Sequence, residues 1–521
     1  MTHGITRPAV ALAIGGALLL TACSGGGGGG GGGEAPVDTD TIRATIDIPA
    51  TFDPAVGMSL PDFMLARASF DTLVRMDESG PVPGLAASWE ATPESTTFTL
   101  RDGITCSDGT PITATVVKDS LETYANSPGT IVPQTFGSQM PSISADDDAG
   151  TVTIDLERPW AYLVQALASS PTGIVCPAGL ADPEGLAAGH VEGAESGPYI
   201  LRNAESGVRY SYELRDDYDQ WPEWTTDIAG EPAKHLEYVV SPDTSATTNL
   251  VLDGQLDIAK VQPESTDRFA DRDGYAVTPF LFSDFYFIFN EREGSPFTDA
   301  AVRTAVVQAI NREEFNNVVQ LGGGELSTTL ASSAASCVTG EPNPALIDYD
   351  PEAAASALQG VTIRLVGPQV VGTNGAGNVY VQEALRAAGA TVELQNVDVG
   401  TWISTVYTQP GDWDLTIFAD LNFLGTLASP IGAFVGPEIL EGGANIGGTQ
   451  ADGVEELFEE ARGEADEAAR CATLNEAANT LISDAHTAPL LTENYLYAQR
   501  PGFEAHMLGG SLDDHIFRIV G

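Results

Sequence analysis

The stretch DPEAAASALQGVTIRLVGPQVVGTNGAGNVYVQEALRAAGATVEL, running from Asp350 to Leu394, decides the fold. Asp350-Pro351-Glu352 reads as a helix start, with proline at the first helical position, where an N–H would lack an intrahelical partner anyway. Val361-Thr362-Ile363-Arg364-Leu365 alternates as a strand. A helical pattern follows from about Val379 to Ala388 and is stopped by Gly389; Thr391 to Leu394 returns to strand, and Asp414-Leu415-Thr416-Ile417-Phe418 supplies a third. Strands alternating with helices predict βαβ units, and so an α/β fold with a mainly parallel sheet covered by helices. Just upstream, Asp299 can cap a helix carrying Val302, Val306, Ala309 and Ile310 on one stripe. Asn311 with Glu314 predicts a capping box for the next.

Working outward, the chain has 521 residues, more than one core accommodates, so two or three cores are expected in one body. With 43% hydrophobic and 18% charged residues it has ample material to bury. Lys+Arg number 23 against 73 Asp+Glu, a net charge of −50, which repels phosphate backbones and excludes nucleic acid as a partner. The acidity reads as a solvated surface that maintains solubility. Lys118, Lys234 and Lys260 are the only lysines and none follows a glycine, so no GxxxxGK phosphate loop exists and ATP hydrolysis is excluded.

At the other end, residues 1–22 carry Arg7 and an apolar run from Ala9 to Leu20, too short for a bilayer span and suited to a secretion signal. Leu20-Thr21-Ala22-Cys23 resembles the bacterial lipobox, which implies cleavage before Cys23 and a diacylglycerol on its thiol. Ser24 and the nine glycines Gly25 to Gly33 then form a flexible tether. The expected location is extracytoplasmic, with the body held to the cell membrane by lipid.

Between these ends a series of short motifs recurs in a recognisable order. Thr51-Phe52-Asp53-Pro54-Ala55 comes first, then Phe70-Asp71-Thr72-Leu73-Val74-Arg75, Pro83-Gly84-Leu85-Ala86-Ala87-Ser88-Trp89 and Phe98-Thr99-Leu100-Arg101-Asp102-Gly103. Asp108-Gly109-Thr110-Pro111, Ser196-Gly197-Pro198-Tyr199, Asp253-Gly254-Gln255-Leu256-Asp257-Ile258 and Pro296-Phe297-Thr298-Asp299-Ala300-Ala301-Val302-Arg303 follow. In this order they resemble the family 5 extracellular solute-binding proteins, the peptide- and nickel-binding receptors of ABC importers.

The resemblance implies a periplasmic-binding-protein-like fold: two lobes with mixed or parallel sheets, joined by a two-crossover hinge, plus an extra subdomain in the first lobe. The expected division is a signal peptide over 1–22 and the lipidated cysteine with its tether over 23–40. Lobe I takes 41–74, 198–283 and 490–521 as its core and 75–197 as the subdomain; lobe II takes 284–489. Phe285-Tyr286-Phe287-Ile288-Phe289-Asn290 suits the first crossing and Pro489-Leu490-Leu491 the second. Cys106, Cys176, Cys337 and Cys471 admit three disulfide pairings; Cys106 with Cys176 and Cys337 with Cys471 are expected, because each pair then falls inside one proposed domain.

In an open parallel sheet the ligand sits beyond the carboxyl ends of the strands, and Ala419-Asp420 ends one of them. The resemblance implies that Asp420 holds a peptide's α-amino group. Here the pair is preceded by Ile417 and Phe418, without the tryptophan some peptide receptors carry, and followed by Leu421-Asn422-Phe423. Asn422, Phe423, Trp402, Trp413, Phe52 and Tyr286 are the further ligand-binding candidates, as aromatics cover variable groups without demanding directional partners. Arg303 is expected to pair with an acid, and His486 to pack in the core or hinge. Neither a GxSxG elbow nor a zinc motif occurs, so no enzyme, cofactor or metal is expected. The expected role is a monomeric receptor that hands a small peptide or related amine-bearing solute to an ABC permease with its ATPase. A nickel chelate, opine or oligosaccharide as solute, or a signalling role, are the alternatives.

Overall fold

The computed structural model describes residues 40–77, 80–129, 131–241, 244–422, 424–508 and 516–521. Cys23, the glycine tether, the signal segment and Phe423 lie outside them. The segment from Asp350 to Leu394 folds largely as its pattern dictates. Asp350 accepts a hydrogen bond from the Ala353 N–H at 2.9 Å and starts the helix Pro351–Leu358. The strand Thr362–Pro368 lies parallel to both Thr391–Val397 and Leu415–Asp420. The helix between the first two begins three residues earlier than its apolar pattern suggests, spanning Ala376–Ala387. Gly375 permits this start: it adopts φ +72°, and a Cβ there would lie 2.1 Å from the Asn396 side chain.

These three strands form one flank of a 10-stranded sheet in the order Thr391–Val397, Thr362–Pro368, Leu415–Asp420, Ala276–Phe289, Pro489–Gln499, Ile258–Val261, Thr41–Ile46, His235–Val240, Arg209–Leu214, Tyr199–Glu205. Thr41–Ile46 pairs parallel with both its neighbours. The sheet is mixed rather than mainly parallel, for two reasons. A short turn between Glu205 and Arg209 forces its strands into an antiparallel hairpin, and two long strands run in opposite directions through the centre.

Those central strands contain both segments expected as crossings, Phe285–Asn290 in part and Pro489–Leu491. Ala276–Phe289 and Pro489–Gln499 pair antiparallel from Ala276↔Gln499 to Tyr286↔Pro489, with register shifts between Leu281 and Ser283 and between Phe285 and Tyr286. The first of these strands therefore begins nine residues before Phe285. Alternation explains why it reads as continuously apolar, since both faces are covered. Phe285, Phe287 and Phe289 join Leu415 and Ile417 in one core with the helices Ala300–Gln308 and Arg312–Gln320. Tyr286 and Ile288 face another core with Trp402, Leu427 and Phe434.

The motif residues serve this scaffold. Asp257 has no exposed surface and accepts bonds from the Arg43 N–H (2.9 Å), Arg43 Nε (3.0 Å) and Arg500 Nη2 (2.6 Å). Arg303 meets Glu291 at 3.3 Å, as expected of it, and donates to the Phe297 and Ala485 carbonyls. Buried His486 contacts the same Glu291 at 2.8 Å. Asp299 caps its helix through the Ala301 N–H. Asn311 accepts from the Glu314 N–H, but the Glu314 carboxylate receives the Tyr380 hydroxyl at 3.2 Å, so half the expected capping box forms.

Residues 86–155 form a 4-stranded antiparallel sheet, Ala86–Ala91, Ser95–Leu100, Thr151–Asp155, Ser142–Asp146. Its core is continuous with the Trp402 core. The junction carries directed contacts. The Ala161 N–H donates to the Arg462 carbonyl at 2.9 Å, and Arg462 Nη2 donates to the Gly137 carbonyl at 2.8 Å. The Arg462 guanidinium lies 5.2 Å from the Trp160 ring centre, and Arg470 lies 5.3 Å from that of Tyr162. Gly137 (φ +66°) admits this approach, since a Cβ would sit 2.9 Å from Arg462 Nη2.

Cys106 bonds to Cys176 and Cys337 to Cys471, the expected pairing. Cys337 has φ +70°, a left-handed conformation costly for a residue with a Cβ. The Asn475 amide braces it, donating to the carbonyls of both Cys337 and Cys471 at 2.8 Å.

Candidate functional site

The strand Leu415–Asp420 lies antiparallel to Ala276–Phe289, with the partners Asp284↔Asp420, Tyr286↔Phe418 and Ile288↔Thr416. Directly opposed residues point to the same side of a sheet, with Cβ atoms about 5 Å apart. One face thus carries two carboxyls side by side, then two aromatic rings, then Ile288 and Thr416.

A helix, Val399–Thr408, lies over this face, capped by Asp398 through the Thr401 N–H at 3.0 Å. It places Trp402 so that its indole N–H donates to the Thr416 hydroxyl at 2.8 Å and its ring sits 5.4 Å from Phe418. Phe418 is 5.5 Å from Tyr286, which is 5.9 Å from Phe434. Tyr407 stands 6.3 Å from Trp402. Asp420 therefore ends its strand beside a wall of five aromatic rings.

Asp420 is half-buried. Its Oδ2 accepts the Tyr286 hydroxyl at 2.9 Å and its Oδ1 accepts the Asn422 N–H at 2.9 Å. Asn422 makes that turn in a left-handed conformation, φ +43°, a geometry asparagine tolerates better than most residues. Its amide closes the loop, donating to the Thr426 carbonyl and accepting the Thr426 N–H. Asn422 is a buried positioning residue. Among the described residues no arginine, lysine or histidine pairs with Asp420 or Asp284.

Asp284 is 4% exposed, and its Oδ1 accepts the Thr492 hydroxyl at 2.6 Å. Burial pushes its carboxyl up to about 7, with the hydroxyl of Thr492 opposing and the charge of Asp420 adding to the rise. Burial also raises Asp420, against the Asn422 N–H and the Tyr286 hydroxyl, which favour the anion. Tyr286 is raised far above the ordinary phenol range by burial and by the charge of Asp420.

A cavity of about 300 Å³, its mouth included, opens beside the pair, lined by Leu281, Phe282, Asp284, Ser332, Ala334, Ala335, Leu421, Asn422, Gly425 and Thr492. Phe282 stacks edge-on to Tyr495 at 4.9 Å, and the Lys260 ammonium lies 4.0 Å from the Tyr495 ring centre. A second hollow, of about 230 Å³, lies by Asp71, Arg75, Tyr218 and Trp224. Its acid is taken up by Tyr218 and Gln220, so it has the marks of a structural network.

Of the residues singled out from sequence, Asp420, Asn422, Tyr286 and Trp402 come together. Trp413 does not: it precedes the same strand at its opposite end, fully buried, with its carbonyl accepting from Asn290. Phe52 packs edge-on to Tyr210 at 5.7 Å in a different core. Asp284, Tyr407 and Phe434 were not singled out. An acid set among aromatics, Phe282-Ser283-Asp284-Phe285-Tyr286, is the sequence signal for Asp284.

Residues 80–434 match the bacterial extracellular solute-binding proteins, family 5 Middle. The chain belongs to this family. Over 308 residues it is 28% identical to the periplasmic murein peptide-binding protein MppA of Escherichia coli, covering 55% of each. Over 306 residues it is 25% identical to the periplasmic oligopeptide-binding protein OppA of that organism, covering 52% of this chain and 53% of that one. The chain thus matches about half the length of these curated relatives. A substrate-binding protein from Microbacterium hydrocarbonoxydans, solved with 4-hydroxybenzoate hydrazide, is 52% identical, with a TM-score of 0.85 over 92% of this chain and 100% of that one. The fold is also that of MppA, 20% identical with a TM-score of 0.76 over 93% of this chain and 99% of that one. No helix among the described residues is long and apolar enough to cross a membrane.

Proposed function

We propose that this protein is the non-enzymatic, extracytoplasmic receptor of an ABC importer, tethered through lipidated Cys23, that captures a small aromatic solute ending in an N–H-rich group. The observation that carries the reading is Asp420, a half-buried carboxylate without a cationic partner among the described residues, set against Tyr286, Trp402, Tyr407, Phe418 and Phe434. A carboxylate so placed accepts charge-assisted bonds from an ammonium, or N–H bonds from a hydrazide. The 4-hydroxybenzoate hydrazide in the 52% identical structure is a molecule of that kind.

Titration calorimetry with 4-hydroxybenzoate hydrazide, benzohydrazide and trialanine tests this. Binding of both hydrazides with no heat from trialanine is expected; binding of the peptide alone sinks the ligand assignment.

In this reading residues 75–197 form the subdomain of lobe I and 284–489 form lobe II, so the Arg462 contacts fasten one to the other around the occupied site. The closed form is what the permease recognises. Arg462→Ala removes one hydrogen bond and a ring contact from that fastening. Stopped-flow dissociation of the hydrazide is expected to become about tenfold faster, from roughly 1.4 kcal/mol. An unchanged rate would show that closure does not depend on this junction.

A further inference from the structure

Resting on that reading of the site, we infer that Asp284 determines specificity: it stands as a neutral carboxylic acid beside ionised Asp420 and donates its O–H to the acyl oxygen of the ligand, while Asp420 receives the terminal N–H groups. The geometry comes first. Asp284 and Asp420 are direct cross-strand partners on one face, and two carboxylates so close cannot both ionise at low cost. Asp284 is the one that keeps the proton. It is 4% exposed, and its burial outweighs the Thr492 hydroxyl, the Ser332 backbone and the Asn422 side chain that favour its anion, whereas Asp420 is more open and is held as an anion by an N–H and a phenol.

The surroundings do not reverse this. On its own strand Asp284 faces Tyr286, whose hydroxyl is committed to Asp420. The neighbouring strand gives Thr492, a neutral donor, and the overlying helix gives Tyr407, which also faces Asp420. The Glu325 carboxylate is turned onto Ser333, and Arg312 donates to the carbonyls of Leu490 and Ser327. Of the rest of the cavity, Leu281, Phe282, Ala334, Ala335 and Leu421 supply apolar wall, while Ser332 and Asn422 are polar and favour the Asp284 anion without outweighing its burial. A carboxylic acid kept neutral by burial and a neighbouring negative charge is a strong hydrogen-bond donor. Acid beside carboxylate matches a ligand that carries an acceptor and donors on neighbouring atoms, as an acyl hydrazide or an amide end does. A plain alkylammonium satisfies only half of the pair.

Benzohydrazide, which has no phenol to titrate, is the probe. Because the bound form needs the Asp284 proton, and that carboxyl titrates near 7, affinity is present below the window and lost as pH rises through it. A fall of about tenfold from pH 6 to pH 8 is expected for the wild type. Asp284→Asn, whose amide keeps a donor, is expected to bind equally at both; Asp284→Ala is expected to be weak at both. A flat wild-type profile, or a slope that persists in Asp284→Asn, overturns the inference. Infrared spectra of the empty protein at pH 6 separate this from failure of the ligand assignment. A protonated-carboxyl band lost in Asp284→Asn supports the proton on Asp284 even if no hydrazide binds, and its absence refutes it.

Discussion

Asp420→Ala is expected to weaken hydrazide binding by at least about 100-fold, the effect of losing one or two hydrogen bonds to a charged group at roughly 1.5–3 kcal/mol each. The empty protein is expected to melt at the same temperature or slightly higher. Both follow from one fact: the carboxylate is desolvated without a cationic partner among the described residues. In the empty fold that charge is a burden, so removing it relieves strain, whereas in the proposed complex it is the strongest anchor for the ligand. Tyr286 loses its acceptor in the variant and moderates the gain. Asp420→Asn separates charge from hydrogen bonding, since the amide retains an acceptor; an intermediate loss is expected. Calorimetric titration and a thermal melt on the same preparation check both halves. Equal affinity in the alanine variant would remove Asp420 from the site, and a collapse of the melting temperature would reassign it to the scaffold.

The second large effect concerns the Cys337–Cys471 bond. It closes a sequence separation of 134 residues, and chain-entropy arguments assign such a loop about 5 kcal/mol of stability. The double replacement Cys337→Ala with Cys471→Ala is expected to lower the denaturation midpoint by an amount of that order. It also reaches the ligand. Ser332, Ala334 and Ala335 line the cavity only a few residues before Cys337, whose left-handed backbone is braced by the bond and by Asn475. Freed of that brace, residue 337 relaxes and the wall loosens, so hydrazide affinity is expected to fall as well. Denaturation curves and titrations of the double variant test this. Removal of Cys106 and Cys176 makes the control: it costs stability but, lying away from the cavity, is expected to leave affinity unchanged.

The sequence made local features readable wherever a short-range rule decides them. Asp350 and Asp299 at helix starts, Gly389 at a helix end, and the strand that terminates in Asp420 follow from caps and periodicity. What it obscured depends on register between distant segments. Nothing near residue 284 reveals that it will face residue 420, and the purely apolar run from Phe285 hid the true start of its strand at Ala276. Trp402 and Trp413 are alike as residues. One is brought onto the site by a helix that crosses the sheet, while the other precedes a strand at its buried end. The Glu314 half of the capping box failed for the same kind of reason, because Tyr380 arrives from 66 residues away.

The register shift in the central strand lies between Leu281 and Ser283, and the residue it displaces, Phe282, lines the cavity. The strand irregularity and the pocket therefore share a side chain. If the proposed receptor closes about this bulge, a guest that presses on the ring sets the angle at which its halves come to rest, and cargo bulk is written into the closed shape. Discrimination among solutes then continues after capture, through posture as well as through fit.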